Sequence, residues 1–158
     1  AENGLDRAVA FDMGGTTAKL TLLDGLELQR SRQFEVARAY RFIGGSGLPV
    51  RIPVIELVEI GAGGGSIARA DALGRIGVGP DSAGSVPGPA CYARGGTDPT
   101  VTDADAALGR LDPGRFAGGS IPLDLDRAAA ALAGLGAALG LNAAGAAAGV
   151  AEIVDETM

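Results

Sequence analysis

Glycine constrains this chain more than any other residue. It fills 27 of 158 positions, where an average composition would supply roughly 11. The glycines gather at 14–15, 44–47, 61–65 and 79–96. Clusters of this kind exclude long helices where they fall. They mark turns, or places where backbone must lie close to something bulky. Between them the hydrophobic period is readable. Ala8–Phe11 is a short apolar run that ends at Asp12-Met13-Gly14-Gly15. From there Thr17, Lys19 and Thr21 alternate with Ala18, Leu20 and Leu22, the pattern of a half-buried strand. The glycine pair between the two runs predicts a tight hairpin turn.

Asp24-Gly25 signals a second turn, and Leu26–Val36 reads as a longer, weaker strand. Residues 38–51 read as a Gly-rich loop, and the β-branched run Ile52–Ile60 as a strand. Ile67–Ala70 and Arg75–Val78 are spaced to pair across Asp71–Gly74. Gly79–Thr102 carries four prolines and five glycines with no period, and a loop of that length inside a domain is usually functional or mobile. The last third reads as helices. Thr102–Asp105 fits a capping box opening a helix to about Arg110. Asp124 or Asp126 caps a second helix to Leu139, and Asn142 a third that runs to the end. The fold class expected is α/β, strands first and helices last, in a single domain over 1–158. The stretch 128–151 is long enough to span a bilayer, but it is mostly Ala and Gly, which insert weakly. Two helices packed through small residues are expected instead, with no membrane contact.

Composition excludes several chemistries. The chain has no His, so it holds neither a Ser-His-Asp nor a Cys-His unit and no imidazole zinc site. Its single cysteine, Cys91, cannot form an internal disulfide and lacks an activating base. The one cysteine fits a reducing compartment, and no basic-then-apolar leader opens the chain, so a cytoplasmic protein is expected. A net charge of −6 argues against a nucleic-acid partner.

Three stretches can carry chemistry. In Asp12–Thr17, Gly14 and Gly15 would let backbone N–H groups approach a phosphate. Thr16 and Thr17 add hydroxyl donors, and Asp12 can hold Mg2+ beside the phosphates. An ordinary Gly-Gly hairpin with an exposed Asp is the other reading. Lys19 either adds charge to that site or is a solvated strand lysine. Gly63, Gly64, Gly65 and Ser66 follow a strand, where their backbone meets either a ligand or another strand. In the long loop, Cys91 reads as structural. Asp103 is either a metal ligand or a first-turn carboxylate facing the helix dipole.

The stretches FDMGGTTAKL, IPVIELVEIGAGGGSIARAD and VGPDSAGSVPGPACYARGGTDPTVTDADAALGRLDP resemble the hydantoinase A / 5-oxoprolinase family. That family includes ATP-dependent hydantoinase subunits and acetone and acetophenone carboxylase subunits. The resemblance runs from about Val9 to the C-terminus, and the long loop carries its most specific words. It implies an actin-like, ribonuclease H-related ATPase lobe using ATP and Mg2+. The substrate would be a small cyclic amide or a ketone, and a second, hydantoinase B-like subunit or domain would complete the reaction. On that reading Asp12 approaches Mg2+, and Gly14, Gly15, Thr16 and Thr17 cradle phosphate. Gly63 to Ser66 and the 79–102 loop line the cleft.

Only one DxGGT-type turn is present, where such ATPases use two. The chain also ends before the adenosine motif that the family implies. The resemblance therefore implies an internal fragment of a larger subunit, inactive by itself. No catalytic residue is assigned. A sugar-kinase-like or chaperone-like lobe of the same fold, or a non-catalytic scaffold docking through the Ala/Gly-rich helices, are the alternatives.

Overall fold

The computed structural model describes residues 4, 6–25, 27–32, 34–37, 45 and 47–158. They gather into two compact units, residues 1–12 with 19–59, and residues 13–18 with 60–158.

The first unit is built from short strands. β1 (Arg7–Met13) and β2 (Ala18–Asp24) share a sheet with β3 (Glu27–Leu28) and, later in the chain, β8 (Val58–Ile60). β2 and β3 form an antiparallel hairpin, Leu23 opposite Leu28, and Gly25 takes the positive φ of 61° at its turn. β4 (Arg30–Ser31) pairs with β7 (Val54–Ile55), and β5 (Phe34–Val36) with β6 (Leu48–Val50).

The strand expected over Leu26–Val36 is thus three pieces, and the one expected over Ile52–Ile60 is two. The hydrogen bonds explain the breaks. The Gln29 N–H donates to the Leu22 carbonyl, while the Gln29 carbonyl accepts from Glu56 N–H. The Glu56 carbonyl in turn accepts from Thr21 Oγ1 at 2.8 Å. Gln29 and Glu56 are where the chain changes partner, so no single ladder runs through them. The same bond lets Thr21 be buried and turns Leu22 outward, against the simple alternation. Most of the loop expected at 38–51 lies outside the described residues, and β6 falls at its end.

The second unit holds the apolar core. β9 (Ser66–Ala70) and β10 (Ile76–Ser82) form the expected hairpin, with Ile76 opposite Ala70 and a bulge between Val78 and Ser82. Asp71 closes its turn, accepting from the N–H groups of Leu73 and Arg75 and from Arg75 Nε. Those donors hold its carboxyl below the usual range. α1 (Val101–Ala107), α2 (Leu125–Leu139) and α3 (Ala143–Thr157) pack on the hairpin around Val101, Ala104, Leu132, Val150 and Val154.

α1 starts two residues earlier than expected. Thr100, not Thr102, is its N-cap, and Asp103 completes the capping box. Asp124 and Asn142 cap α2 and α3 as expected. α2 ends at Gly140, in the left-handed region at φ 69°, and α3 leaves at 86° to it. Among the described residues no single helix is long and apolar enough to cross a membrane.

Candidate functional site

The second unit brings together two stretches 50 residues apart in the sequence, the Gly14–Thr17 turn and the glycine run at 63–65. Gly64 N–H donates to the Gly14 carbonyl at 2.9 Å, and Gly65 N–H to the Gly15 carbonyl at 2.6 Å. Ser82 Oγ approaches the same Gly15 carbonyl at 3.4 Å. The turn is closed on itself by Gly14 N–H donating to the Thr17 carbonyl at 2.9 Å.

The glycines are needed for this approach. A Cβ on Gly63 would lie 2.7 Å from the Gly14 carbonyl oxygen and from two backbone atoms of Thr16. One on Gly65 would lie 2.8 Å from the Gly15 oxygen. Gly63, Gly65 and Ser66 are buried, and Ser66 Oγ accepts from Gly63 N–H at 2.9 Å. Of the two readings of this run, the geometry supports backbone packed on backbone. Gly63, Gly64, Gly65 and Ser66 stand behind the turn and support it.

The consequence for the turn follows from peptide geometry. A trans peptide is planar, so its C=O and the next N–H point in opposite directions. Holding the Gly14 and Gly15 carbonyls against the glycine run therefore turns the N–H groups of Gly15 and Thr16 away from it. Among the described residues neither of those N–H groups, nor either threonine hydroxyl, has a hydrogen-bond partner. Gly14, Gly15 and Thr16 are exposed and Thr17 partly so. Acceptors face inward and donors face outward, which is the arrangement that binds an anion.

Asp12, immediately before Met13, is exposed on β1. Lys19 pairs with Glu59 at 3.7 Å, and both side chains are about half exposed.

Asp103 is fully buried. Its Oδ1 accepts from Cys91 N–H at 2.8 Å, and its Oδ2 from Ala90 N–H, Thr100 N–H and Thr100 Oγ1 at 3.2, 2.9 and 2.8 Å. Four donors surround it and no cation-binding partner does. Its geometry is that of a cap that also ties down residues 90–91, not of the metal ligand considered from the sequence. No group of three His, Cys, Asp or Glu side chains among the described residues is placed to hold a metal. Cys91 is buried beside this carboxylate, and desolvation, with the neighbouring negative charge, pushes its thiol far up. It is a structural thiol, as expected.

Sequence reasoning missed Thr100 as the cap and, in giving that role to Thr102, missed what Thr102 does. The first was readable, since Thr-x-x-Asp over 100–103 is itself a capping-box spacing. Thr102 was not. Its N–H and its Oγ1 both donate to the Gly64 carbonyl at 2.8 Å, a contact between residues 38 apart with no local signature.

The family described as Hydantoinase/oxoprolinase matches residues 1–158. The chain is 41% identical over 156 residues to the caprolactamase subunit alpha of Pseudomonas jessenii, covering 98% of this chain and 21% of that protein. It is 39% identical over 157 residues to the acetophenone carboxylase gamma subunit of Aromatoleum aromaticum, covering 98% of this chain and 20% of that protein. A nucleotide-free structure of acetone carboxylase, from a study of ATP-dependent acetone carboxylation, superposes with a TM-score of 0.81 at 30% identity. That match covers 98% of this chain and 21% of the other. The chain thus spans about a fifth of the length of the relatives it matches.

Proposed function

Since the chain belongs to the hydantoinase/oxoprolinase family, we propose that it supplies one phosphate-gripping turn of an ATP-dependent enzyme. The parent subunit opens a cyclic amide or carboxylates a ketone, and the lobe is of the actin-like ATPase kind. One observation carries this reading. The carbonyls of Gly14 and Gly15 are held by Gly64 and Gly65, which leaves a row of exposed donors, unpartnered among the described residues, on the other side of the turn. The similarity to a caprolactamase and to two ketone carboxylases supports the choice of chemistry.

The residues present fit Mg-ATP. The N–H groups of Gly15 and Thr16, with the hydroxyls of Thr16 and Thr17, would hold phosphate oxygens. Asp12 would face Mg2+, and a single carboxylate suffices where phosphates and water fill the other positions. Bound Mg-ATP would supply the phosphoryl group that activates the oxygen of an otherwise unreactive amide or ketone. This chain's own part is to fix the phosphates, and the glycine run behind the turn keeps its donors from rotating. A hydantoinase B-like subunit or domain completes the reaction, and the assembly works in the cytoplasm.

The test is Mg-ATP titration calorimetry on the complete gene product. The wild type is expected to bind, and Asp12→Ala to weaken binding about tenfold or more, the effect of losing one charged contact. The 158 residues alone are expected to show no ATP turnover. Failure of both full-length proteins to bind would instead favour a non-catalytic scaffold.

A further inference from the structure

The long segment that ends at Thr102 reaches the turn without touching its exposed face. Thr102 is the second residue of α1, after the Thr100 cap. The first N–H groups of a helix have no partner inside it, so the Thr102 amide is free to bond elsewhere. A threonine deeper in a helix can return its hydroxyl to the carbonyl four residues back. In the first turn no such helical carbonyl exists, and the hydroxyl is free as well.

Both donors go to one acceptor, the Gly64 carbonyl, each at 2.8 Å. A carbonyl oxygen has two lone pairs and can take both. Glycine is required at 64 for this, because a Cβ there would stand 2.8 Å from Thr102 Oγ1. Thr102 is 5% exposed, and Asp103 fixes the turn of chain before it through Thr100, Ala90 and Cys91. The Gly64 carbonyl shares its peptide with the Gly65 N–H, so the far end of the relay is the Gly65 N–H on the Gly15 carbonyl at 2.6 Å. Successive peptide hydrogen bonds polarise and orient one another. The Gly15 carbonyl, in turn, sets the direction of the Thr16 N–H through the planarity of their shared peptide.

We infer that Thr102 is a positioning residue for the phosphate turn, acting through the Gly64–Gly65 peptide and the Gly15 carbonyl on the Thr16 N–H. Ser82 lends lesser support to the same Gly15 carbonyl, directly through its hydroxyl at 3.4 Å. The Gly79–Thr102 segment accordingly works as a brace behind the turn. This rests on the reading of residues 14–17 as a phosphate site.

The experiment is Mg-ATP affinity of the complete gene product, with melting temperatures in the absence of nucleotide. Thr102→Ala removes the hydroxyl and the methyl, whereas Thr102→Ser removes the methyl alone. Thr102→Ala is expected to weaken Mg-ATP about tenfold, the loss of one buried hydrogen bond transmitted to the turn. Thr102→Ser is expected to bind like the wild type, while both melt within a few degrees of it. If Thr102 merely fills space, Ser and Ala will be equally impaired, and the inference fails. It fails also if Thr102→Ala binds normally. Should Thr102→Ala not fold, Ser82→Ala at a partly buried position serves instead, with a smaller loss expected and unchanged affinity overturning the brace. Absence of binding by the wild type would overturn the phosphate reading itself. Wild-type binding that is lost in Asp12→Ala and kept in the Thr102 and Ser82 variants would overturn the positioning role alone.

Discussion

Asp103 shows how far one carboxylate can organise a segment without regular structure. Its two oxygens take four hydrogen bonds, three from backbone N–H groups and one from a hydroxyl. Donors in that number satisfy both oxygens of a side chain that is wholly removed from solvent. Asparagine there would turn an NH2 group toward donors, so Asp103→Asn is expected to cost about 2–4 kcal/mol in urea unfolding. Cys91 reports the same event. Its thiol is buried and held protonated, so a thiol reagent should leave the native wild type untouched. It should label Asp103→Asn faster, at urea concentrations well below the wild-type midpoint. That Asp103 belonged to a helix start was legible in the sequence. That it also captures Ala90 and Cys91 was not, since those contacts close a loop of a dozen residues that has no period.

Among the elements, the glycines sort by what stands beside them. Gly134 and Gly136 both lie within α2, two residues apart. A Cβ on Gly134 would meet nothing within 4 Å, but one on Gly136 would lie 2.6 Å from the Leu141 carbonyl oxygen. Gly134→Ala should therefore raise stability by about 0.5–1 kcal/mol through helix propensity. Gly136→Ala should lower it by about 1–3 kcal/mol, because the α2–α3 corner must open. Urea midpoints of the two variants check the contrast, and equal effects would contradict it. The small residues were visible as a pattern, the α3 cap at Asn142 was legible to the residue, and the α2 cap was narrowed to Asp124 or Asp126. Which glycine is obligatory was not, because that depends on the 86° turn between the helices. The strand region was read less well for a related reason. Gln29 and Glu56 switch partners, and a change of partner leaves no mark on hydrophobic alternation.

For the molecule as a whole, burial is divided unequally. In the first unit, Thr21 is the one buried side chain among the described residues, and Val9 and Phe11 are exposed by 61% and 51%. In the second, three helices and a hairpin enclose the apolar core. Amide exchange follows local burial, so hydrogen–deuterium exchange on the 158-residue chain should protect α1, α2, α3 and β9 most and β1 to β7 least. Comparable protection across both would contradict that division. The family was legible from the sequence because the long loop carries unusual words, and the turn was legible because its glycine pair stands between two apolar runs that form β1 and β2. The pairing of turn and glycine run was not, since 50 residues separate the two and only the fold closes the gap. Because Gly63 and Gly65 leave no room between that run and the turn, neither can be exchanged alone. A chimera that borrows residues 12–17 from a relative must borrow 61–66 with them, and the two segments form one heritable module despite their distance along the gene.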